Sequence, residues 1–373
     1  MYPCKYRKGR LTRVNFVRGG TGLWRCYQGP TLHQYSDGRI AAYWTGYNGH
    51  ECDNDNACLY SISRDQGEGW TEPKVFMASP SANTSHLTLV QLRSGKVLMF
   101  YRETFFVGAE TDEHGEVVKW ADYGRSISRI IQRESHDDGY VWTGGRTLPV
   151  ESLLPDYEPP FYGGVNGASQ LESGRVLLNI CYLPRGGRYP QHFESVFLYS
   201  EDEGENWKTG GTLSIDVERG VMEPRWVELE RDHLLCFIRN RSGYIYKTES
   251  YDGGVTWERP EPTGIPSPES MCGLKKLRSG RLLLIWNDAY APRSQHPRYP
   301  LTAALSEDDG RTWPYKRNLA TESGDGSLSN FDLLQVREDE RILLAVTHNS
   351  GLWRPRYFDI ELFCFDEEWI MKG

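Results

Sequence analysis

Four residues that could bind an anion or transfer a proton lie at matching positions around two polar turns of the sequence. Arg102 and Arg239 follow the turns near residues 95 and 232 by seven residues, and His86 and Glu223 precede the same turns by nine. A guanidinium group can hold a carboxylate through two parallel hydrogen bonds, so converging arginines form a strong anion clamp. A carboxyl or imidazole group beside such a clamp can transfer protons to or from a bound ligand. The matching offsets predict that these side chains share one site.

These turns belong to a hairpin pattern that occurs six times along the chain. Each copy consists of an apolar-rich strand, a short polar turn and a second apolar strand. This pattern predicts an antiparallel hairpin, and its repetition is typical of the inner strands of propeller blades. The six hairpins span residues 31–44, 87–102, 168–182, 225–239, 273–287 and 331–347.

A second motif, S-x-D-x-G-x-x-W, occurs five times in the chain. Its Ser and Asp can bond the turn backbone, its Gly supplies a positive φ, and its Trp packs the turn onto a sheet. We therefore interpret these residues as structural. The copies recur at intervals of roughly 50 to 70 residues, which favours a propeller over a solenoid of shorter units. They begin at Ser63, Ser135, Ser200, Ser250 and Ser306.

The sixth hairpin lacks this motif and is followed by a last apolar stretch, RYFDIELFCFDEEW. We expect N-terminal residues to supply its missing outer strand. Such an arrangement would close the ring and hide the sheet edges from other chains.

The composition argues against several kinds of binding partner and against a metal site. The formal net charge of −8 argues against nucleic acid or an anionic membrane surface as the main partner. No run of about 18 apolar residues appears, so membrane insertion is not expected. The eight cysteines lack metal-ligand spacing, and we predict no metal and no other cofactor. We expect a soluble protein, cytoplasmic as the sequence stands, or secreted or periplasmic if a signal peptide was removed. A homo-oligomer is left open.

The Asp-containing motifs on a six-hairpin pattern resemble the sialidase (neuraminidase) superfamily, whose BNR repeats carry such Asp boxes. The resemblance extends over nearly the whole chain. It implies an all-β fold with one domain, residues 1–373, forming a six-bladed β-propeller closed by the N- and C-terminal strands. Asp boxes lie at the periphery and also occur in lyases and binding proteins, so they do not identify a reaction. Ligands would bind where the inner strands converge on the axis.

The resemblance also implies roles for single residues. Sialidases hold the substrate carboxylate with three arginines, and they use a tyrosine nucleophile assisted by a glutamate, together with an aspartate acid/base. MEPRWVEL followed by LLCFIRN is similar to the family's N-E-x-Q-V-x-E-L and L-N-x-R, which implies that Glu223 is the assisting glutamate and Arg239 the second arginine. The R-Y-P-L-T segment resembles the family's R-x-x-L-T and implies that Arg298 is the third arginine.

The chain departs from the family pattern at two positions. Gln28 stands where the first arginine belongs, and Asn330 stands where the nucleophilic tyrosine belongs. The loop that carries the acid/base aspartate in the family reads HECDNDN here. It offers Glu51, Asp53 and Asp55, of which we select Asp53.

Other residues are candidates for the missing functions. Arg102 is expected to replace the first arginine, while Tyr101 or Tyr299 is a candidate nucleophile. Alternatively, water attacks directly between two carboxylates, as in an inverting enzyme. The long segments 103–125 and 287–299 would wall the pocket or mediate subunit contacts.

These residues lead to one main functional hypothesis and two alternatives. The main hypothesis is an exo-acting glycoside hydrolase that binds a glycan or oligosaccharide through a terminal, carboxylated sugar such as a sialic or uronic acid. Asp53 and Glu223 would do the acid/base work. The first alternative is a propeller-fold polysaccharide lyase in which His86, with Tyr101, abstracts the proton α to a uronate carboxylate. The second is a carbohydrate-binding propeller without activity.

Overall fold

The structure, a computed structural model, describes residues 3–49, 51–112, 117–119, 121–154, 162–184, 192–321, 326–349 and 357–373. Strands dominate the described residues. In chain order the elements are β1 (Thr12–Val17), β2 (Cys26–Gln34), β3 (Ile40–Tyr47), β4 (Ala57–Ser63), β5 (Lys74–Ala78), β6 (Asn83–Gln91), β7 (Val97–Phe105), β8 (Glu110–Thr111), β9 (Val117–Lys119), β10 (Ile127–Ser135), β11 (Arg146–Thr147), α1 (Val150–Leu153), β12 (Tyr162–Gln170), β13 (Val176–Tyr182), β14 (Glu194–Ser200), β15 (Lys208–Leu213), β16 (Met222–Glu230), β17 (His233–Arg239), β18 (Tyr244–Ser250), β19 (Glu261–Pro266), β20 (Gly273–Lys276), β21 (Leu282–Asn287), β22 (Leu301–Ser306), β23 (Tyr315–Ala320), β24 (Ser327–Gln335), β25 (Ile342–Asn349), β26 (Phe358–Phe365) and α2 (Glu367–Met371).

The strands are grouped in consecutive antiparallel sets of four. Four of these sets are separate sheets: β6-β7-β10-β11, β12 to β15, β16 to β19, and β20 to β23. The first set, β2 to β5, and the last set, β24-β25-β26 with β1, belong to one eight-stranded sheet. They are joined by a parallel bridge between Cys26 and Phe358.

The six predicted hairpins are confirmed as antiparallel pairs, each built from the first two strands of a set. The predicted position of the N-terminal strand is confirmed as well. Strand β1 pairs antiparallel with β26, with Thr12 opposite Cys364, and thereby takes the outer position of the last set.

The Asp-box motif forms the turn that its residue types predict. In the first copy, Ser63 Oγ accepts a hydrogen bond of 2.8 Å from the Gly67 amide and donates one of 2.8 Å to Asp65 Oδ1. The Asp65 carboxylate also accepts from the Gly69 amide at 2.8 Å. Gly67 has a φ of +88°, which an L-residue adopts only with strain. The bond from the glycine amide to the serine hydroxyl and the bond from that hydroxyl to the aspartate recur in the other four copies.

The apolar core lies at the interfaces between neighbouring sets of strands. Trp44 of the first set and Leu362 of the last share one buried cluster, and comparable clusters join the other neighbouring sets. The Asp-box turns add to these interfaces, since a Cβ placed on Gly67 would lie 2.4 Å from Leu343 Cδ1 of the last set. Each set is therefore held by packing on its neighbours as well as by its own hydrogen bonds.

The first strands of the sets position the site. Strands β2, β6, β12, β16, β20 and β24 each contact the next in this order, and β24 also contacts β2. Their ends consequently surround a common space. Within the part of the chain that the structure describes, no helix is both long and apolar enough to cross a bilayer.

Candidate active site

One large cavity of about 1560 Å³ lies between the first strands of the sets. Its walls include both Cys26 and Gln34, the first and last residues of β2, so the cavity extends along the full length of that strand. Eight of the ten sequence-predicted site residues line it: Gln28, Glu51, His86, Arg102, Glu223, Arg239, Arg298 and Asn330. The other two, Asp53 and Tyr101, are not among the lining residues.

Irregular backbone near the start of four of these strands presents residues to the cavity. Gly29, His86, Glu223 and Asn330 each lie at a shift in strand register and have φ values of +62°, +53°, +42° and +48°. A bulge re-aims a side chain, and a positive φ at a residue other than glycine stores strain that is common at functional sites. The equal offset of His86 and Glu223 from their turns therefore reflects equivalent bulges.

Glu223 and Arg239 form a direct ion pair in the cavity wall. Arg239 Nη1 donates to Glu223 Oε2 at 2.6 Å, and the Glu223 side chain is 19% exposed. Burial alone would raise the pKa of Glu223, but the guanidinium of Arg239, aided by that of Arg225, outweighs burial and lowers the pKa to about 2. Glu223 is therefore an ionised carboxylate at neutral pH, which can accept a proton or a hydrogen bond but cannot donate a proton.

Glu269 is the central counter-ion of the site, and the sequence analysis missed it. Its side chain is fully buried, with Oε1 at 3.5 Å from Arg239 Nη2 and 3.2 Å from Arg219 Nε. Oε2 accepts a hydrogen bond from Arg241 Nε. Glu269 lies before β20, two residues upstream of Met271, the residue of the fifth hairpin equivalent to Glu223. An alignment of the hairpins would have found Glu269 only if it had included the residues before β20.

Arg298 reaches the same place from the segment before β22. Its Nη2 donates to the backbone oxygen of Glu269 at 3.2 Å, Nη1 to Ser329 Oγ at 2.7 Å, and Nε to the Gln295 oxygen at 3.1 Å. All three acceptors are neutral. Burial, together with the neighbouring charge of Arg239, lowers the pKa of Arg298 to about 10, so it stays charged at neutral pH. Its charge can be compensated by an anionic ligand.

Arg102 lies on β7, in the inner hairpin of the second set, and is buried in the cavity wall. Nη1 donates to the Gly163 oxygen at 2.8 Å and Nη2 to Ser85 Oγ at 3.0 Å. The adjacent residue, Tyr101, does not face the cavity. Its side chain packs in the core cluster shared by the first and second sets, because consecutive strand residues point to opposite faces. Tyr299, the other suggested nucleophile, packs against the core between the fifth and sixth sets.

The acidic loop after β3 contributes a different residue from the one selected. Glu51 lines the cavity, and its Oε2 accepts a hydrogen bond of 3.0 Å from Gln28 Nε2. Gln28 in turn accepts a 2.6 Å hydrogen bond from the Tyr47 hydroxyl. The backbone oxygen of Asp53 accepts a hydrogen bond from Asn83 Nδ2 at 2.9 Å, which helps to shape the loop. Glu51 is thus the carboxylate of this loop that faces the cavity.

His86 and Asn330 both line the cavity. His86 is exposed within the cavity, and its enclosed position, together with the charge of Arg102, lowers the pKa of the imidazole to about 3. It is therefore neutral at physiological pH. Asn330 offers no nucleophile, and the tyrosines that line the described part of the cavity are Tyr47 and Tyr123. No group of three or more metal-binding side chains occurs among the described residues.

Comparison with known proteins gives one family match. The BNR repeat-like domain matches residues 38–339. The sialidase of Micromonospora viridifaciens is 28% identical over 325 residues, which cover 78% of this chain and 46% of that protein. The chain thus spans about half the length of this relative.

Solved structures share the fold at lower identity. A Trypanosoma rangeli sialidase bound to the inhibitor DANA has a TM-score of 0.71 at 16% identity, covering 96% of this chain and 60% of that one. A Dyadobacter fermentans protein of unknown function has a TM-score of 0.69 at 18% identity, covering 94% of this chain and 98% of that one. These likenesses establish a β-propeller-type fold.

Proposed function

The chain belongs to the sialidase/BNR-repeat superfamily, and from this premise we propose that it is an exo-acting glycoside hydrolase for a terminal, carboxylated sugar. One observation carries the proposal: Arg239 and Arg298, which line the cavity together with Glu223, approach the same buried residue, Glu269. Two guanidinium groups held in this way form a preorganised clamp for a carboxylate. The carboxylate of a sialic or uronic acid has the matching chemistry.

We assign the catalytic roles by exposure and charge. Glu51 is exposed at the cavity and takes the acid role that we first gave to Asp53. Glu223 is kept ionised by Arg239 and serves as the base. Because Asn330 has no nucleophilic group and neither Tyr101 nor Tyr299 lines the cavity, water activated by Glu223 attacks the anomeric carbon. Arg102 also lines the pocket and is a further hydrogen-bond donor for the substrate.

The proposed architecture is one domain in which six sets of strands close into a six-bladed ring. Support comes from the ordered contacts of the first strands and from the core shared by the first and last sets. The pairing of β1 with β26 completes the sixth set. Such a ring would place the cavity on its axis, where propellers bind ligands.

The test is an assay of the purified protein against aryl glycosides of sialic acids, uronic acids and neutral sugars. We expect turnover of a carboxylated glycoside only, and a loss of at least about a hundredfold in kcat/KM for Arg298→Ala. Arg311→Ala, at an exposed Asp-box turn, is the matched control and should leave turnover unchanged. Cleavage of neutral glycosides alone, or full activity of Arg298→Ala, would refute the clamp.

One observation favours a lyase as second candidate. His86 carries a neutral imidazole in the cavity, and no hydrogen bond of its ring is recorded among the described residues. A base in this place could remove the proton α to a bound uronate carboxylate. Lyase products are unsaturated uronates that absorb in the near ultraviolet, whereas hydrolysis creates no such chromophore. A uronan digest followed by absorbance separates the two reactions, and His86→Ala would abolish only the lyase.

A further inference from the structure

The two carboxylates that we assign to catalysis have partners of different charge. Glu223 accepts a hydrogen bond of 2.6 Å from the guanidinium of Arg239, whereas Glu51 accepts one of 3.0 Å from the amide of Gln28. A neighbouring positive charge favours the ionised form of a carboxyl group, whereas a neutral amide adds no charge. Acid/base catalysis needs two groups whose surroundings separate their protonation states. The contrast between Glu51 and Glu223 therefore depends on Gln28.

The Gln28 amide is fixed at both of its ends. An ionised carboxylate only accepts hydrogen bonds, so the nitrogen Nε2 must face Glu51 Oε2. The oxygen Oε1 then accepts the 2.6 Å hydrogen bond that the Tyr47 hydroxyl donates. Turning the amide over would break both contacts. Gln28 is thus held between Tyr47 and Glu51 in one orientation.

The elements that carry these residues are regular strands and a tethered loop. Gln28 lies on β2 opposite Thr45 of β3, and Tyr47 is the last residue of β3. The backbone oxygen of Glu51 accepts a hydrogen bond of 2.8 Å from Nδ2 of the buried Asn83 on β6. Both the backbone and the side chain of Glu51 are therefore held from strands, which is how a functional group keeps its geometry.

Charged and titratable groups of other elements also face Glu51. Arg102 and Arg298 act on it electrostatically, and Tyr123 and Cys52 lie within the range of its charge. Among the contacts of the described residues, however, neither arginine forms an ion pair with Glu51. The direct side-chain partner of this carboxylate is the neutral amide.

An arginine at position 28, which the family resemblance calls for, would have a different effect on Glu51. A guanidinium there could reach the carboxylate and would hold it ionised, as Arg239 holds Glu223, whose pKa is lowered to about 2. A carboxylate held in this way cannot donate a proton. The amide of Gln28 can donate to a carboxylate and also to the carbonyl oxygen of a carboxylic acid, so its contact survives protonation of Glu51.

We propose that Gln28 is a positioning residue for Glu51, whose carboxyl group it holds at the cavity while leaving it able to take up and release a proton. This inference rests on the proposed hydrolysis, in which Glu51 is the acid. It also indicates the leaving group, because a sugar hydroxyl leaves as a basic alkoxide unless an acid protonates it. The substrate would accordingly carry its terminal sugar on another sugar, as a glycan does.

The basicity of the leaving group separates the positioning of an acid from a general loss of structure. The para-nitrophenyl and methyl glycosides of one carboxylated sugar are compared, because the phenolate departs without protonation and the methoxide does not. Gln28→Arg and Glu51→Gln should each lower kcat on the methyl glycoside by about a hundredfold or more, but on the nitrophenyl glycoside by less than about tenfold. Gln28→Met, which removes the amide without adding a charge, should show the same pattern with a smaller loss. Arg298→Ala, a clamp variant, should lower kcat/KM on both substrates by a similar factor.

A double-mutant cycle in thermal unfolding tests the contact without turnover. The wild type, Gln28→Arg, Glu51→Gln and the double variant are melted at pH 7 and at pH 3. A carboxyl group whose folded-state pKa is lowered by a new ion pair stabilises the fold above its unfolded pKa, and this contribution is lost as the pH falls. The Tm of Gln28→Arg should therefore exceed the additive expectation by about 1 °C at pH 7, and the excess should shrink at pH 3. Gln28→Met carries no charge and should show no such excess.

The two measurements keep this inference distinguishable from the proposed function. If no carboxylated glycoside is turned over, the hydrolase proposal fails, while the cycle still decides whether residue 28 contacts Glu51. The positioning role is overturned if Gln28→Arg slows both glycosides equally or slows neither. It is also overturned if Gln28→Arg shows no coupling to Glu51 in Tm at pH 7.

Discussion

The guanidinium of Arg239 donates a hydrogen bond of 2.6 Å to the carboxylate of Glu223. This pair joins the end of β17 to a residue at positive φ on the neighbouring strand β16. The contact explains why a carboxylate can remain ionised in a largely enclosed position. It also fixes the orientation of Glu223, because the other side of Arg239 is held by the buried Glu269. Catalytic and structural contributions of Glu223 should therefore be measurable separately.

Replacing Glu223 by Gln should strongly reduce turnover and change the response of stability to acid. Since the folded-state pKa of Glu223 is lowered from 4.5 to about 2, its stabilising contribution is present above pH 4.5 and is lost as the pH falls through 2. The difference in Tm between wild type and Glu223→Gln should narrow over that range. In turnover, we expect a loss of about 10² to 10⁴. A difference in Tm that stays constant from pH 7 to 3 would contradict the ion pair.

Glu269→Gln should be among the most destabilising substitutions around the cavity. The change leaves the charges of Arg219, Arg239 and Arg241 without their shared counter-ion, and breaking a buried ionic network costs about 3–5 kcal/mol. Urea unfolding measures this loss. Glu218→Gln is the control, because Glu218 pairs with Arg241 from a 35% exposed position, and should cost no more than about 1 kcal/mol. Equal losses in the two variants would contradict the central place of Glu269.

The fold was predictable because its signals are local. A hairpin needs only alternating apolar strands around a turn, and an Asp box such as Ser63 to Trp70 closes its hydrogen bonds within eight residues of the sequence. The position of β1 against β26 is not local, but it followed from a sixth hairpin that lacked an outer strand. Whether the sets form a closed ring is a question about their relative placement, which no local motif specifies.

The candidate site residues came from two signals in the sequence, the family resemblance and the offset of residues from the hairpin turns. The resemblance implied Glu223 and Arg239, and their offsets from the turn led to His86 and Arg102. Glu269 acts through partners on other strands and had no motif of its own. The selection of Tyr101 overlooked a constraint that the sequence does contain. Tyr101 and Arg102 are consecutive residues of β7, so they cannot both face the cavity wall.

A matched pair of glycines tests the docking of the first set on the last. Gly67 and Gly95 have similar φ values of +88° and +93°, but a Cβ on Gly67 would meet the buried Leu343 at 2.4 Å while one on Gly95 would meet nothing within 4 Å. Gly95→Ala should cost only the strain of its φ, about 1 kcal/mol. Gly67→Ala should cost about 1–3 kcal/mol more. Equal costs in chemical unfolding would show that the Gly67 turn does not pack on the last set.

The last prediction concerns the anomeric product, and it follows from Asn330. This residue occupies the bulge position of β24 at a φ of +48°, and its side chain lines the cavity where the family resemblance calls for a tyrosine. Without a covalent intermediate, water activated by Glu223 displaces the leaving group in one step, and the configuration at the anomeric carbon inverts. Proton NMR of the first-formed sugar from a carboxylated glycoside should therefore show the inverted anomer, and ordinary α-sialosides should be poor substrates.

Retention of configuration would contradict direct attack by water, and the chain itself offers the next experiment. Tyr47 and Tyr123 line the described cavity and carry the hydroxyl groups that a retaining mechanism would need. Tyr47→Phe and Tyr123→Phe should leave an inverting reaction within about tenfold of wild type, because neither phenol would attack. If the wild-type product retains its configuration and one of these substitutions abolishes turnover, that tyrosine is the nucleophile. Asn330→Tyr should not raise the rate of the inverting reaction, because that reaction forms no bond to a residue at this position.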